Sequence, residues 1–112
     1  EQGKYIDQLV SLKNVKVEWA KLALPDESVI EFLKYHSHPD LENNIENFQD
    51  SNRLGCSHIA LTVVNIENVI DYICSNGGSI KKKYQISPDK KVKVVYCYDP
   101  EGNIIEIVEE LK

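Results

Sequence analysis

No apolar run in this sequence approaches the roughly 18 residues that a membrane-spanning helix needs. Nor do the first residues show the charged, apolar and small-residue succession of a secretory signal. The lack of a long apolar run sets the membrane aside as an expected partner, and no secretory route is expected. Basic charge is also short. Thirteen Lys and Arg stand against 18 Asp and Glu, a net charge of −5, and the acids are spread along the chain. That balance argues against nucleic acid as the main partner. The three cysteines, Cys56, Cys74 and Cys97, are odd in number, far apart and without a C-x-x-C spacing. They read as reduced thiols, so the expected location is cytoplasmic. A chain of 112 residues, 42% hydrophobic and 28% charged, has the composition of one soluble globular domain with a modest core.

What the sequence does contain is an echo of itself. "PDESVIEFL" (residues 25–33) aligns without a gap on "PEGNIIEIV" (100–108), which sets Asp26 over Glu101, Ile30 over Ile105 and Glu31 over Glu106. The offset is 106 − 31 = 75 residues. The stretches before them, "VKVEWAKLAL" (15–24) and "VKVVYCYD" (92–99), both begin Val-Lys-Val. Each copy reads as a hairpin whose second strand carries one Glu among aliphatics. A duplicated module is the simplest source.

The second copy is legible in full. "CSHIALTVV" (56–64) is a strand by its β-branched content, with His58, Ala60 and Thr62 on one face and Ile59, Leu61 and Val63 on the other. Asn65 is a helix N-cap with Asn68 at the third position, and Ile66, Val69, Ile70 and Ile73 form one apolar stripe. Gly77 and Gly78 end that helix. A short strand over 79–82, a loop to Pro88 and the hairpin complete the order β-α-β-β-β. The first copy is partial. A short helix over Ile6, Leu9 and Val10 precedes the hairpin, and the place that would match His58 falls before residue 1, so the chain is expected to be a truncated form or a fragment. The expected organisation is one domain, with a partial first module over 1–38, a linker over 39–55 and a complete second module over 56–112.

In the second copy, Ile105 and Ile107 share one face of the last strand, and Ile104, Glu106 and Val108 share the other. A carboxylate placed among aliphatics needs a partner, a hydrogen-bond network or a metal. If the first and last strands of the module are neighbours, His58 and Glu106 point to one face, and Glu31 occupies the equivalent place in the first module. One imidazole and two carboxylates suit a divalent transition metal with positions left for water or substrate. A strand histidine satisfied by a hydroxyl, and rim carboxylates in solvent, are the plainer alternatives.

These residues carry a resemblance. "HIALTVVNIENVIDYICSNGG", "VVYCYDPEGNIIEIVE" and "KLALPDESVIEFLKY" resemble the second-module opening, the closing hairpin and the end of the first module of the vicinal oxygen chelate superfamily, the glyoxalase, bleomycin-resistance and dioxygenase fold. The resemblance implies an α+β fold of tandem β-α-β-β-β modules on a U-shaped, partly open mixed sheet, the first module lacking its N-terminal strand and helix. It implies Glu31, His58 and Glu106 as ligands of a divalent ion (Ni, Zn, Mn, Co or Fe), with Glu106 as the base beside a substrate carbonyl. A small-molecule substrate and a homodimer are implied, with activity of the glyoxalase I or epimerase kind. The alternative is a metal-free, drug-sequestering protein of the bleomycin-resistance type.

Other features read more plainly. "HSHP" (36–39) is expected to hold surface histidines. Lys81, Lys82, Lys83, Lys90, Lys91 and Lys93 form a local basic patch that aids solubility or steers an anionic substrate. Tyr96 and Tyr98 share a strand face and either line a cavity or fill core. Trp19 is the single tryptophan.

Overall fold

Both hairpins that the echo predicts are present, and they share one register. The computed structural model describes residues 1–42 and 48–112, so the middle of the expected linker, 43–47, lies outside the described residues. By its contacts the chain divides into two compact units, Glu1–Glu42 and Asn43–Lys112.

The first unit is a short helix and a hairpin. Helix α1 (Lys4–Val10) ends at Ser11, whose φ of 60° is left-handed. Ile6 and Val10, four residues apart, share the face that packs with Val15 and Val17 in a small core, and Ile6, Val15 and Val17 are buried. The Asp7 carboxylate fixes that core by accepting the backbone N–H groups of Asn14 at 2.8 Å and Val15 at 2.9 Å. Leu9, the other apolar residue of the expected helix, lies outside that core and is exposed. Strands β1 (Val17–Ala23) and β2 (Val29–Tyr35) pair antiparallel in a two-stranded sheet, with Lys21 opposite Glu31.

Among its described residues, the second unit is a five-stranded mixed sheet with one helix. Its strands are β3 (His58–Val63), β4 (Ser79–Ile80), β5 (Gln85–Ile86), β6 (Val92–Tyr98) and β7 (Ile104–Glu110), and helix α2 spans Ile66–Ser75. The order is β3-β7-β6-β4 with β5 also on β6; β3 and β7 run parallel, and the other pairs are antiparallel. The α2 termini follow the sequence signals. Asn65 accepts the Asn68 N–H at 3.0 Å, and Gly77 takes φ +91° while the Gly78 N–H closes on the Ile73 carbonyl at 3.0 Å.

The predicted apolar faces meet. Ile66, Val95, Cys97 and Ile107 are buried together, with Leu61, Val63, Val69, Ile70, Ile73 and Ile105 packed around them. Complete burial of Ile66 is worth about 1.5–3 kcal/mol. Burial pushes the Cys97 thiol up, and the neighbouring Cys74 adds to this.

Two local expectations need correction. The stretch before Pro88 is not only loop, because β5 pairs with β6. Ser87 causes this: its N–H donates to the Val92 carbonyl at 3.0 Å, and its Oγ accepts the Lys91 N–H at 3.1 Å, folding the chain back onto β6. The basic patch is not wholly solvated either. Lys93 bonds Glu67 at 2.9 Å and Lys81 bonds Asp50 at 2.8 Å. The fold class itself stands: α+β, with two helices, one mixed sheet and one antiparallel two-stranded sheet, both open, among the described residues.

Candidate functional site

The parallel pairing of β3 with β7 sets the geometry of the site. In register, His58 faces Ile104 and Ala60 faces Glu106. His58 and Glu106 are therefore diagonal neighbours on the sheet face opposite α2, a separation that long side chains can bridge. Ala60 offers only a methyl group at the place between them, so the imidazole can lean toward the carboxylate. The result is His58 Nε2 at 3.2 Å from Glu106 Oε2, with both side chains about three-quarters buried (26% and 24% exposed).

Two further groups hold the imidazole. Ser57 Oγ lies 2.8 Å from His58 Nδ1. The Tyr96 ring, directly opposite Glu106 across β6 and β7, stands 5.1 Å from the His58 ring with planes tilted 42°. Ser57 can serve either tautomer, since a hydroxyl both donates and accepts. With Nε2 protonated toward Glu106, Ser57 donates to Nδ1. With Nε2 bare, Ser57 accepts the Nδ1 proton, the orientation that a metal-binding histidine requires. The adjacency of Ser57 to His58 is the only signal of this role in the sequence.

The His58–Glu106 separation is that of a hydrogen bond, and the same separation suits two ligands of one ion. Two ligands each about 2.1 Å from one ion at tetrahedral or octahedral angles stand roughly 3.0–3.4 Å apart, and the His58–Glu106 separation of 3.2 Å lies within that range. A nitrogen and an oxygen donor match zinc, nickel, cobalt, manganese or iron. Among the described residues, no group of three or more His, Cys, Asp or Glu side chains converges. Glu31 belongs to the first unit, where it is exposed on β2 opposite Lys21. The structure thus brings together His58 and Glu106 of the expected three. The histidines of 36–39 are exposed, as expected. His36 Nε2 meets Glu18 Oε1 at 3.0 Å, a bond that holds the Glu18 carboxyl below its usual range, and His38 Nδ1 meets Ser37 Oγ at 2.9 Å.

A family model described as the Glyoxalase/Bleomycin resistance protein/Dioxygenase superfamily matches residues 10–107. The chain belongs to this superfamily. Solved structures agree at the level of fold. A glyoxalase family protein from Bacillus cereus is similar with a TM-score of 0.86 at 22% identity, over 100% of this chain and 74% of that one. A glyoxylase/bleomycin resistance protein/dioxygenase domain from Frankia sp. EAN1pec gives 0.58 at 15% identity, over 85% and 70%. A glyoxalase family protein from Enterococcus faecalis gives 0.51 at 19% identity, over 94% and 82%. No curated protein matches the chain. Among the described residues of this superfamily member, no helix is long and apolar enough to cross a membrane.

Proposed function

We propose that this glyoxalase-superfamily chain is a divalent-metal-dependent lyase or isomerase acting on a small molecule next to a carbonyl, in the manner of lactoylglutathione lyase. The observation that carries this reading is the 3.2 Å approach of His58 Nε2 to Glu106 Oε2 on one sheet face. In this reading His58 and Glu106 hold the ion, Glu31 supplies a further carboxylate, and Ser57 keeps the imidazole turned toward the site. The ion when bound supplies a Lewis acid for a substrate oxygen. Glu106 takes the proton from the carbon beside the carbonyl and returns it to the neighbouring carbon, a general acid–base role that needs only hydrogen-bond reach. The face that receives the substrate is walled by Tyr96.

The working form in this reading is a cytoplasmic homodimer. The first-unit hairpin supports the dimer, because Trp19 and Leu33 on one face and Leu22 and Phe32 on the other are each about half exposed on a two-stranded sheet, and uncovered apolar surface favours association. Three cysteines without a disulfide support the compartment. The second reading, a metal-free ligand-binding protein of the bleomycin-resistance type, needs no ion at His58 and Glu106.

Elemental analysis of untagged wild type and Glu106→Ala, before and after loading with nickel, zinc, manganese and cobalt, decides between them. Close to one ion per chain, lost in Glu106→Ala and weakened in Glu31→Ala, is the expected result and justifies assays with hemithioacetals and acyl-thioester epimers. No ion in either protein after loading overturns the enzyme reading and leaves the binding module.

A further inference from the structure

At the Tyr98 end of the same sheet face, three residues that precede β3 are fastened to the sheet by three unlike contacts. The Phe48 ring lies against the Tyr98 ring, with centroids 4.8 Å apart and planes tilted 42°. The Tyr98 hydroxyl donates to the Gln49 carbonyl at 3.1 Å. Lys81 Nζ donates to Asp50 Oδ1 at 2.8 Å and stands 5.5 Å from the centroid of the Tyr98 ring. Gly102 completes the seat. Its φ is +85°, and a Cβ there would come within 2.5 Å of Phe48 Cδ1, so the missing side chain is what leaves room for the phenyl group.

Seat and occupant are built differently. Tyr98 is locked in β6 between Ser79 and Ile104, and the Lys81 backbone N–H donates to the Tyr96 carbonyl at 3.1 Å. Phe48 and Asp50 lie in chain without regular structure, with Phe48 41% exposed and the Asp50 side chain 81% exposed. A half-exposed ring contact and an exposed ion pair are each weak in water. The seat is therefore fixed, while its occupant is held by contacts that another molecule can replace.

We propose that Tyr98, Lys81 and the Gly102 cradle form a binding subsite for an arylalkanoate, an aromatic ring bearing a carboxylate on a short chain, and that Phe48 and Asp50 fill it as an internal stand-in. The ligand ring replaces phenyl on Tyr98, and its carboxylate replaces that of Asp50 on Lys81. The released Tyr98 hydroxyl becomes a donor for the newcomer. Tyr98 and His58 both flank Ile104 in register, so the subsite adjoins the His58–Glu106 pair. It needs no metal and stands apart from the enzyme reading. Because the stand-in must leave first, a latch shut about nine-tenths of the time weakens apparent affinity roughly tenfold.

The test is a ¹H–¹⁵N NMR titration of the whole, metal-free chain with 3-phenylpropanoate, beside its amide. The expected result is movement of the Gln49, Lys81 and Gly102 amide signals, about tenfold tighter binding by Phe48→Ala, and loss of binding when Lys81→Met is added to it. Asp50→Asn, which leaves the ring in place, is expected to tighten binding as well and keeps the test open if Phe48→Ala fails to fold. Equal affinity of the variants and wild type, signals that move elsewhere, no binding by any form, or an amide that binds as well as the acid would each overturn the proposal.

Discussion

The hairpin of β1 and β2 and the hairpin of β6 and β7 follow one plan and end in opposite environments. Lys21 pairs with Glu31 in the first and Tyr96 with Glu106 in the second, each 75 residues on (96 − 21 = 75, 106 − 31 = 75). Their turns share the same backbone hydrogen bonds. The Leu24 N–H donates to the Ser28 carbonyl at 2.8 Å, as Asp99 does to Asn103 at 2.9 Å, and Glu27 donates to Leu24 as Gly102 does to Asp99. Even the left-handed residue recurs, Glu27 at φ 71° and Gly102 at φ 85°. Burial does not recur. Six of the seven β1 residues and six of the seven β2 residues are exposed, whereas Val95, Cys97, Ile104 and Ile107 of β6 and β7 are buried. Register and turn geometry are local properties of a hairpin, but burial needs other elements. The second hairpin has β3, β4, β5 and α2 in its unit; the first sheet has two strands, and a lone two-stranded sheet is marginal in water.

The largest expected effect tests that difference directly. Ile107→Ala should cost about 2–5 kcal/mol in urea unfolding. Phe32→Ala on the exposed hairpin should cost about 0.5 kcal/mol or less at dilutions where the chain is monomeric, and more where the proposed dimer forms. If Phe32→Ala costs as much as Ile107→Ala, the first hairpin is covered in solution and the contrast belongs to the isolated chain alone. A concentration-dependent midpoint for Phe32→Ala would point to a second copy as the cover.

The matched turns give a smaller effect of opposite sign at each place. Glu27 holds a left-handed conformation that a Cβ disfavours, so Glu27→Gly should raise stability by about 0.5–1 kcal/mol. Gly102→Ala should lower it by about 1 kcal/mol or more, because it combines the same strain with a Cβ pressed on Phe48. Thermal melts of both variants would check this, and changes of the same sign would break the equivalence of the turns.

The smallest effect is electrostatic. The hydrogen bond from Lys93 holds the Glu67 carboxyl below its usual range, and that from Lys81 does the same for Asp50. Both carboxyls have folded values below their unfolded ones. Their contribution is therefore complete above the ordinary carboxylate range and lost as pH falls through the depressed values. Unfolding midpoints between about pH 6 and pH 3 should fall less steeply in Lys93→Met and Lys81→Met than in wild type. Identical slopes would remove these pairs from the account of acid stability.

The sequence displayed much of this because several of its signals are short-range. Asn65 caps α2 through a residue three places on, and Gly77 ends it through φ alone. The 75-residue echo carried the hairpin register because turn chemistry and strand alternation fix it locally. The alternation of β3 and β7 placed His58 and Glu106 on a common face once those strands were taken as neighbours. Less visible were contacts with no periodic signature. Phe48, Gln49 and Asp50 sit in a polar stretch that reads as linker, and nothing in their spacing announces Tyr98 or Lys81. The β5 segment is two residues long, too short for an alternation pattern, and depends on Ser87 folding the chain back.

By itself, then, the sequence determined the duplicated hairpins, the capped helix, the apolar stripe that covers one sheet face and the residue types of the site. Each is written in spacings of a few residues or in one repeat. Only the tertiary structure decided that β3 lies parallel beside β7, bringing His58 Nε2 to Glu106 Oε2 across 48 residues of chain, and that one hairpin is buried while its twin is exposed. Strand neighbours and burial are set by which elements share a core, a long-range choice that no local spacing encodes.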